Sequence, residues 1–189
     1  MAKQRSMGFI DFNNGPNPKE GDGPLFISKG ASCYTTHPVL KIGGGRLIGG
    51  NCRNHAANKA HLYVALDSVH EHPLYDPATP LARCVFYPIP NMKIPTRPDK
   101  FSALIDDIIQ TLSAGQTVHV GCIGGHGRTG MVLAAVVARL GIAGPDNDAI
   151  GWVRENYCKK AVETKAQEGF IVVNFGAKVQ PGNKTPYQS

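Results

Sequence analysis

Short apolar runs alternate with longer amphipathic runs along most of the chain. Runs of β-branched and aromatic residues bounded by turn residues predict five strands. These predicted strands lie at residues 24–28, 46–50, 61–67, 83–89 and 117–121. Because helical patterns follow several of them, the alternation predicts a single α/β domain with a central mixed or parallel sheet flanked by helices.

Four helices are predicted from apolar residues at helical spacing. Pro98 suits a first helical position, and the pattern from there to Gly115 predicts an amphipathic helix lying on the sheet. Residues 127–141 are apolar nearly all round, which predicts a helix buried in the middle of the domain. A third helix is predicted to open at Pro145, and a fourth to span residues 164–179.

A glycine-rich loop joins the predicted strand 117–121 to the predicted buried helix. Residues 120–130 read VGCIGGHGRTG, and the spacing of their glycines fits the dinucleotide fingerprint G-x-G-x-x-G. That fingerprint requires a second strand with an acidic residue about 20 positions further on. Asp146 lies near that distance, but a turn and a helix start surround it. The loop also lacks the lysine of a Walker motif, so a nucleotide site is not favoured.

The same loop contains a cysteine and an arginine at the spacing C-x5-R. A tight loop that enters a helix N-terminus directs several backbone N–H groups and the helix dipole toward one point, where an anion binds. Cys122 lies in that field, which favours its thiolate form. Arg128 can grip two phosphoryl oxygens bidentately, and Thr129 can donate its hydroxyl to the sulfur. The loop is therefore predicted to bind and attack a phosphate group.

The cysteines allow a simpler interpretation, in which each is a small buried apolar residue. The chain has five of them, dispersed and without C-x-x-C spacing, so neither a disulfide framework nor a zinc site is expected. The residues around Cys122 favour a chemical role for that thiol. The other cysteines are expected to be structural thiols, and they are Cys33, Cys52, Cys84 and Cys158.

The pattern C-x5-R-T between a strand and a buried helix resembles the phosphate-binding loop of the protein tyrosine phosphatase superfamily. It is most similar to the compact dual-specificity phosphatases, over roughly residues 40–175. The resemblance implies that Cys122 is the nucleophile, that Thr129 assists it, and that Gln167 positions the hydrolytic water. It implies no metal or organic cofactor. The implied phosphate-binding residues are Ile123, Gly124, Gly125, His126, Gly127 and Arg128.

Two positions depart from the family pattern. Gly121 stands directly before the nucleophile, where the family usually has a histidine, and the nearest histidine is His119. Asn91 stands in YPIPNMKIP, where the family has the aspartate that acts as general acid. An amide cannot act as a general acid, so impaired activity is one expectation that Asn91 raises. The chain could be a substrate-trapping form, a natural protein with slow turnover, or an enzyme that uses another acid.

Other acids can be nominated from the sequence. Asp99 is expected in the first turn of its helix, where an acidic residue is ordinary. Asp76, His70 and His72 lie in a loop expected at the active-site edge of the sheet. The two histidines are not expected to bind a metal, because no third ligand can be named.

These features predict a cysteine-dependent phosphatase that hydrolyses phosphotyrosine, phosphoserine or phosphothreonine on proteins through a cysteinyl-phosphate. One alternative is a phosphate-binding module that no longer turns over, because of Asn91. Another is a phosphatase acting on nucleic-acid 5′ ends or phosphoinositides. The net charge of +6 leaves nucleic acid open as a partner. The absence of lysine from residues 123–127 disfavours a highly charged inositol phosphate.

The length of 189 residues, with 42% apolar, suits one well-buried core. We expect residues 25–179 to form the phosphatase domain, with flexible segments at 1–24 and 180–189. No apolar run approaches the roughly 20 residues that span a bilayer, and the N-terminus lacks an apolar signal core. A cytoplasmic protein without membrane contact is therefore expected.

Overall fold

The computed structural model of the protein describes residues 37–52, 59–67 and 82–179. Several elements and residues predicted from the sequence lie outside these ranges. They are the strand at 24–28, the terminal segments 1–24 and 180–189, Cys33, His70, His72 and Asp76.

The described residues form five strands and four helices. The strands are β1 (Val39–Ile42), β2 (Gly45–Asn51), β3 (Leu62–Ala65), β4 (Arg83–Phe86) and β5 (Thr117–Cys122). The helices are α1 (Pro98–Ser113), α2 (Gly127–Arg139), α3 (Ala149–Asn156) and α4 (Lys165–Phe175).

The strands form one sheet in the order β1-β2-β5-β3-β4. β1 pairs with β2 antiparallel, and the other neighbours are parallel. This arrangement confirms the predicted α/β fold with a mixed sheet. The parallel strands β2, β5 and β3 therefore end at one edge of the sheet, which is where parallel α/β folds place their ligands.

Strand β1 was not predicted. It has only four residues, and a two-residue turn at Gly43 and Gly44 joins it to β2, with Ile42 opposite Gly45. Gly43 has a φ of 58°, a left-handed conformation that glycine adopts without strain. A Gly-Gly pair between two short apolar runs is a hairpin signal, so the sequence did contain this information.

Strand β4 ends at Phe86, before the end of the predicted run at residue 89. Proline lacks a backbone N–H, and Pro88 and Pro90 interrupt the regular ladder. The backbone N–H groups of Tyr87 and Ile89 still donate to Ala65 and Leu66, at 2.9 and 3.1 Å. The segment after β4 is thereby held beside the end of β3.

The prediction that the third helix opens at Pro145 was wrong. Helix α3 begins at Ala149, and the Asp148 side chain caps it by accepting from the backbone N–H of Gly151 at 2.9 Å. Gly144 and Asn147 have left-handed backbones, with φ of 77° and 47°, so the chain turns before the helix starts. Helix α4 also ends earlier than predicted, because Gly176 closes it with a φ of 66°.

Helix α2 lies at the centre of the domain, as predicted. Its side chains from Gly127 to Ala138 are all buried. It packs on β2 and β5 of the sheet and also contacts α1, α3 and α4. In the part of the chain that the structure describes, no helix is both long and apolar enough to cross a bilayer.

Candidate active site

The glycine-rich loop connects β5 to α2 at the edge where the parallel strands end. Asn51 at the end of β2 pairs with Cys122, and His126 is the N-cap residue of α2. Gly125 has a φ of 70°, and a Cβ built on it would lie 2.8 Å from the Gly50 carbonyl carbon. Both its backbone conformation and its close approach to β2 therefore require glycine.

The predicted nucleophile lies at the base of this loop. Cys122 is buried, with 3% of its surface exposed. The Thr129 hydroxyl donates to its Sγ across 3.2 Å. A hydroxyl in this position stabilises a thiolate, because a hydrogen bond to the charged form favours that form. Gly121, the residue before the nucleophile, pairs with Gly50 and Ala65, so small residues surround it on both neighbouring strands.

Arg128 extends from the first turn of α2 toward the segment after β4. One of its terminal nitrogens, Nη1, donates to the Ile89 and Leu66 carbonyls at 2.9 and 3.3 Å. The same nitrogen is 3.7 Å from Oδ1 of Asp67, a buried carboxylate just after β3. The other terminal nitrogen, Nη2, donates to Oδ1 of Asn91 at 3.3 Å. These contacts fix the plane of the guanidinium group.

Asp67 was not identified from the sequence. It is the last residue of the run HLYVALD and lies at the strand edge that carries Cys122. A carboxylate placed directly after a buried strand is the signal that would have singled it out. Its contact with Arg128 indicates a role in orienting that side chain.

Cys122 and Arg128 share a pocket of 340 Å³ with residues from two other segments. Asn91 and Met92 come from the loop after β4, and Glu163 comes from the segment before α4. Of the predicted phosphate-binding residues, Ile123, Gly124 and His126 also line the pocket. The structure thus brings the predicted loop, the predicted Asn91 and an unpredicted carboxylate together.

Among the residues that the structure describes, Glu163 supplies the carboxyl group that lines this pocket. Burial raises its pKa, while a hydrogen bond from the backbone N–H of Gly127 and the charge of Arg128 offset part of that rise. Its Oε1 is 3.9 Å from Nδ1 of His126. A Cβ on Gly127 would clash with the Glu163 carboxylate, so glycine at 127 makes room for the acid.

A buried arginine holds the backbone that presents Glu163. Arg154 donates to the carbonyls of Ala161 and Val162 at 3.0 and 2.8 Å, and it pairs with Glu168 at 3.0 Å. Val162 has a φ of 57°, which is unusual for a β-branched residue. Such strain persists where the surroundings over-determine the backbone, and it is concentrated at functional sites.

Gln167 lies beside the pocket but does not line it. Its Oε1 accepts from the backbone N–H groups of Glu163 and Thr164 at 2.8 and 3.3 Å, and its Nε2 donates to the Lys93 carbonyl at 3.4 Å. The Thr164 side chain accepts from the Gln167 backbone, which completes a capping box. The geometry gives Gln167 a structural role, and its predicted role in positioning water stays a prediction.

Asp99 is not part of the pocket. It is exposed and pairs with Arg97 at 2.7 Å, and the hydrogen bond from Arg97 lowers its pKa. A lowered pKa is the opposite of what a general acid needs near neutral pH. The structure therefore gives no support to Asp99 as the substitute acid.

On its other side, the loop meets an aromatic and sulfur-containing cluster. The Tyr157 hydroxyl donates to the Gly125 carbonyl at 2.6 Å, and the His37 ring stacks on Tyr157 at 4.5 Å. His37, His126 and Cys158 place one potential metal-ligand atom each within 4.8 Å of one another. Burial and the charge of His126 lower the pKa of His37 to about 4, so its imidazole is neutral at pH 7.

Comparison with known proteins agrees with this geometry. Residues 50–171, more than half of the chain, match the family described as "PTP-SAK: Swiss Army Knife protein, DSP-PTPase phosphatase domain". The chain belongs to this family. It is thus a member of the protein tyrosine phosphatase superfamily with a phosphatase domain of the dual-specificity type, as the loop predicted.

Two proteins of Methanocaldococcus jannaschii, the uncharacterized proteins MJECL20 and MJ0215, are each 44% identical to this chain over 88 residues. The match covers 47% of this chain, and it spans only 56% and 52% of the two relatives.

Solved structures share the fold at lower identity. The active form of Tk-PTP has a TM-score of 0.58 at 21% identity, covering 72% of this chain and 95% of that one. Human DUSP28 has a TM-score of 0.58 at 14% identity, covering 73% and 95%. PTPMT1 in complex with PI(5)P has a TM-score of 0.58 at 12% identity, covering 73% and 94%.

Proposed function

We propose that this protein is a cysteine-dependent phosphatase that hydrolyses phosphate monoesters on phosphorylated proteins through a cysteinyl-phosphate. The observation that carries the proposal is the pocket in which Cys122, hydrogen-bonded to Thr129, lies with Arg128. Membership of a DSP-type phosphatase family supports it.

In the first step, the Cys122 thiolate attacks phosphorus in line with the departing oxygen. A sulfur–phosphorus bond forms as the phosphorus–oxygen bond breaks. The backbone N–H groups of residues 123–126 and the guanidinium of Arg128 stabilise the charge on the phosphoryl oxygens, while the N–H of Gly127 donates to Glu163. Because Nη1 of Arg128 is engaged with carbonyls and one N–H of Nη2 with Asn91, the N–H of Nε and the other N–H of Nη2 are the ones available to the phosphate.

The departing oxygen needs a proton when the alcohol is a poor leaving group. Asn91 cannot supply it as a general acid. We assign this role to Glu163, whose carboxyl lines the pocket and whose pKa is raised by burial. In the second step, the ionised Glu163 accepts a proton from water as the water attacks phosphorus, and Cys122 leaves as a thiolate assisted by Thr129.

The pocket mouth favours an aromatic leaving group. Met92 and Ile123 line the pocket and are 36% and 38% exposed, and Ile94 nearby is 36% exposed. Met92 has a φ of 62°, an uncommon backbone conformation for a residue with a side chain. Apolar side chains at this position can cover the ring of phosphotyrosine, whereas phosphoserine offers little apolar surface to cover. Phosphotyrosine is therefore the favoured substrate, with phosphoserine and phosphothreonine hydrolysed more slowly.

A phosphate-binding module without turnover is the second candidate, and Asn91 is the observation that favours it. A phosphoinositide or nucleic-acid substrate is less favoured, because the pocket lining within the described residues includes no lysine. Because the net charge of +6 favours anionic partners, a nucleic-acid substrate is included in the experiment that separates the candidates.

A leaving-group series separates these candidates. Turnover is measured with aryl phosphates of falling leaving-group acidity, phosphotyrosine and phosphoserine peptides, a short-chain phosphoinositide and 5′-phosphorylated RNA. A phosphoprotein phosphatase should turn over the aryl series and prefer the phosphotyrosine peptide. Tight vanadate binding with no turnover of any substrate would establish the binding module instead. Preferred turnover of the lipid or the RNA would overturn the proposed substrate class.

A further inference from the structure

Three potential metal ligands meet behind the glycine-rich loop, on segments far apart in the chain. His37 precedes β1, His126 caps α2, and Cys158 follows the end of α3. The candidate ligand atoms of the three side chains all lie within 4.8 Å of one another. His126 and Cys158 are buried, with 1% and 8% exposed, and His37 is partly buried.

Contacts with aromatic neighbours hold the two imidazole rings, those of His37 and His126, in place. His37 stacks on Tyr157 with an interplanar angle of 24° and meets the edge of His126 at 5.4 Å between centroids. Within the described residues, Nε2 of His37 is buried and has no hydrogen-bond partner. Buried polar atoms normally have one, and such an exception is a reason to look for an ion.

We propose that His37, His126 and Cys158 form a binding site for a borderline-soft transition metal ion such as Zn²⁺. Two imidazole nitrogens and a thiolate are the ligand types that Zn²⁺ prefers. Zinc bond lengths of about 2.0 to 2.3 Å in a tetrahedral arrangement separate ligand atoms by roughly 3.5 Å. Side-chain rotations that move the ligand atoms by about 1 Å therefore bring them to the distances that an ion requires.

Glu163 strengthens the assignment of His126 as a ligand. Nδ1 of His126 lies 3.9 Å from Oε1 of Glu163, so a carboxylate stands beside this ring. A metal-bound histidine commonly directs its other ring nitrogen at a carboxylate, which fixes the ring orientation. An ion at this site would join the segment before β1, the glycine-rich loop and the end of α3. The bound ion would stabilise the loop. It would not be bound by the Cys122 thiolate.

The test is titration of the full, metal-free chain with Co²⁺, followed by displacement with Zn²⁺. The expected result is saturation at one equivalent, with the visible absorption of tetrahedral Co²⁺ and a thiolate-to-cobalt charge-transfer band. Bound metal should also raise the melting temperature, because the three ligands come together only in the folded state. These measurements do not depend on phosphatase activity, so their failure leaves the proposed function untouched.

Variants locate the ion. Cys158→Ser and His37→Gln should each weaken Co²⁺ binding by more than about 100-fold, because even partners that touch only the ligands contribute 10- to 100-fold. Cys122→Ser and the exposed-cysteine control Cys84→Ser should bind as the unaltered chain does. A thermal unfolding curve of each metal-free variant shows whether it is folded. If Cys158→Ser is unfolded, Co²⁺ binding by His37→Gln tests the site. Loss of Co²⁺ binding in Cys122→Ser, with binding retained in His37→Gln, would place the ion at the nucleophile and overturn the proposal. Failure of the unaltered chain to bind one equivalent of Co²⁺ would also overturn it.

Discussion

The two walls of the pocket are built in different ways. One wall is the continuous loop from β5 to α2, whose shape is set by glycine backbone angles and by the hydroxyl of Thr129. The other wall combines the residues after β4 with the strained segment before α4, and buried side chains hold it in position. In the proposed mechanism, the first wall binds and attacks the phosphate, and the second meets the leaving group. Turnover of activated substrates should therefore depend on the loop alone, while turnover of physiological substrates should depend on both walls.

Loss of the nucleophile should have the largest effect, because it disables the first wall for every substrate. Cys122→Ser should lower kcat by about 10⁴-fold or more for activated and unactivated esters alike. Vanadate or phosphate binding should persist, since the loop backbone and Arg128 are unchanged. Steady-state kinetics and calorimetric titration with vanadate measure the two quantities. Residual hydrolysis within tenfold of the unaltered protein would exclude Cys122 as the nucleophile.

Removal of the proposed acid should affect substrates selectively. Glu163→Gln should lower turnover of phosphotyrosine by about 10²- to 10⁴-fold and change an activated aryl phosphate much less. As an acid, Glu163 acts in its protonated form, and burial raises its pKa. Activity of the unaltered protein should therefore fall as pH rises through that raised pKa, and the variant should lack this descending limb.

The control for Glu163→Gln is Glu155→Gln, on the exposed surface of α3. It should leave the leaving-group slope and the pH profile as they are. An equal loss for activated and unactivated substrates in Glu163→Gln would mean that Glu163 organises the loop and transfers no proton.

An aspartate at position 91 should restore part of the lost activity. Asn91 lines the same pocket and contacts Arg128, so a carboxyl there is within reach of the leaving group. Asn91→Asp in the Glu163→Gln background should raise phosphotyrosine turnover by about 10-fold to 10²-fold, and in the unaltered background by less. Phosphate affinity should fall slightly, because a carboxylate repels the bound dianion. The same gain in both backgrounds would show that Glu163 is not the acid that Asp replaces.

The smallest expected effect concerns stability on the far side of the loop. The pKa of His37 is lowered from 6.5 to about 4, so the unfolded chain binds this proton more readily than the folded one. The stabilising contribution is present above pH 6.5 and is lost as pH falls through about 4. Between pH 7 and 4, the free energy of unfolding should fall by about 1 to 2 kcal/mol more in the unaltered protein than in His37→Gln. This difference is smaller than the full pKa shift implies, because solvent screens the partly exposed imidazole.

Urea unfolding in the presence of a chelator measures this difference. Cys84→Ser, which changes a distant exposed side chain, should follow the unaltered protein at each pH. Equal pH dependence in His37→Gln and the unaltered chain would contradict the assignment.

The contrast between the walls also explains what the sequence could predict. The loop was identified because its chemistry lies in one continuous stretch, and the buried helix because its apolar residues are contiguous. Glu163 was passed over in favour of Gln167, although Thr164-x-x-Gln167 fits the capping-box pattern and so indicates that the glutamine serves the helix start. Asp67 and the cluster of His37, His126 and Cys158 depend on contacts between segments far apart in the chain, and no local pattern reports such contacts.

The hydrogen bond from Tyr157 to the loop gives one residue outside the pocket an unexpected importance. A trans peptide points its carbonyl and its following N–H in opposite directions, so holding the Gly125 carbonyl at Tyr157 directs the next N–H the other way. The ring has room to do this only because Gly49 carries no side chain: a Cβ there would lie 2.6 to 2.7 Å from the Tyr157 ring and hydroxyl. One methyl group at Gly49, on a strand outside the pocket, would therefore displace the ring that fixes the direction of this loop N–H.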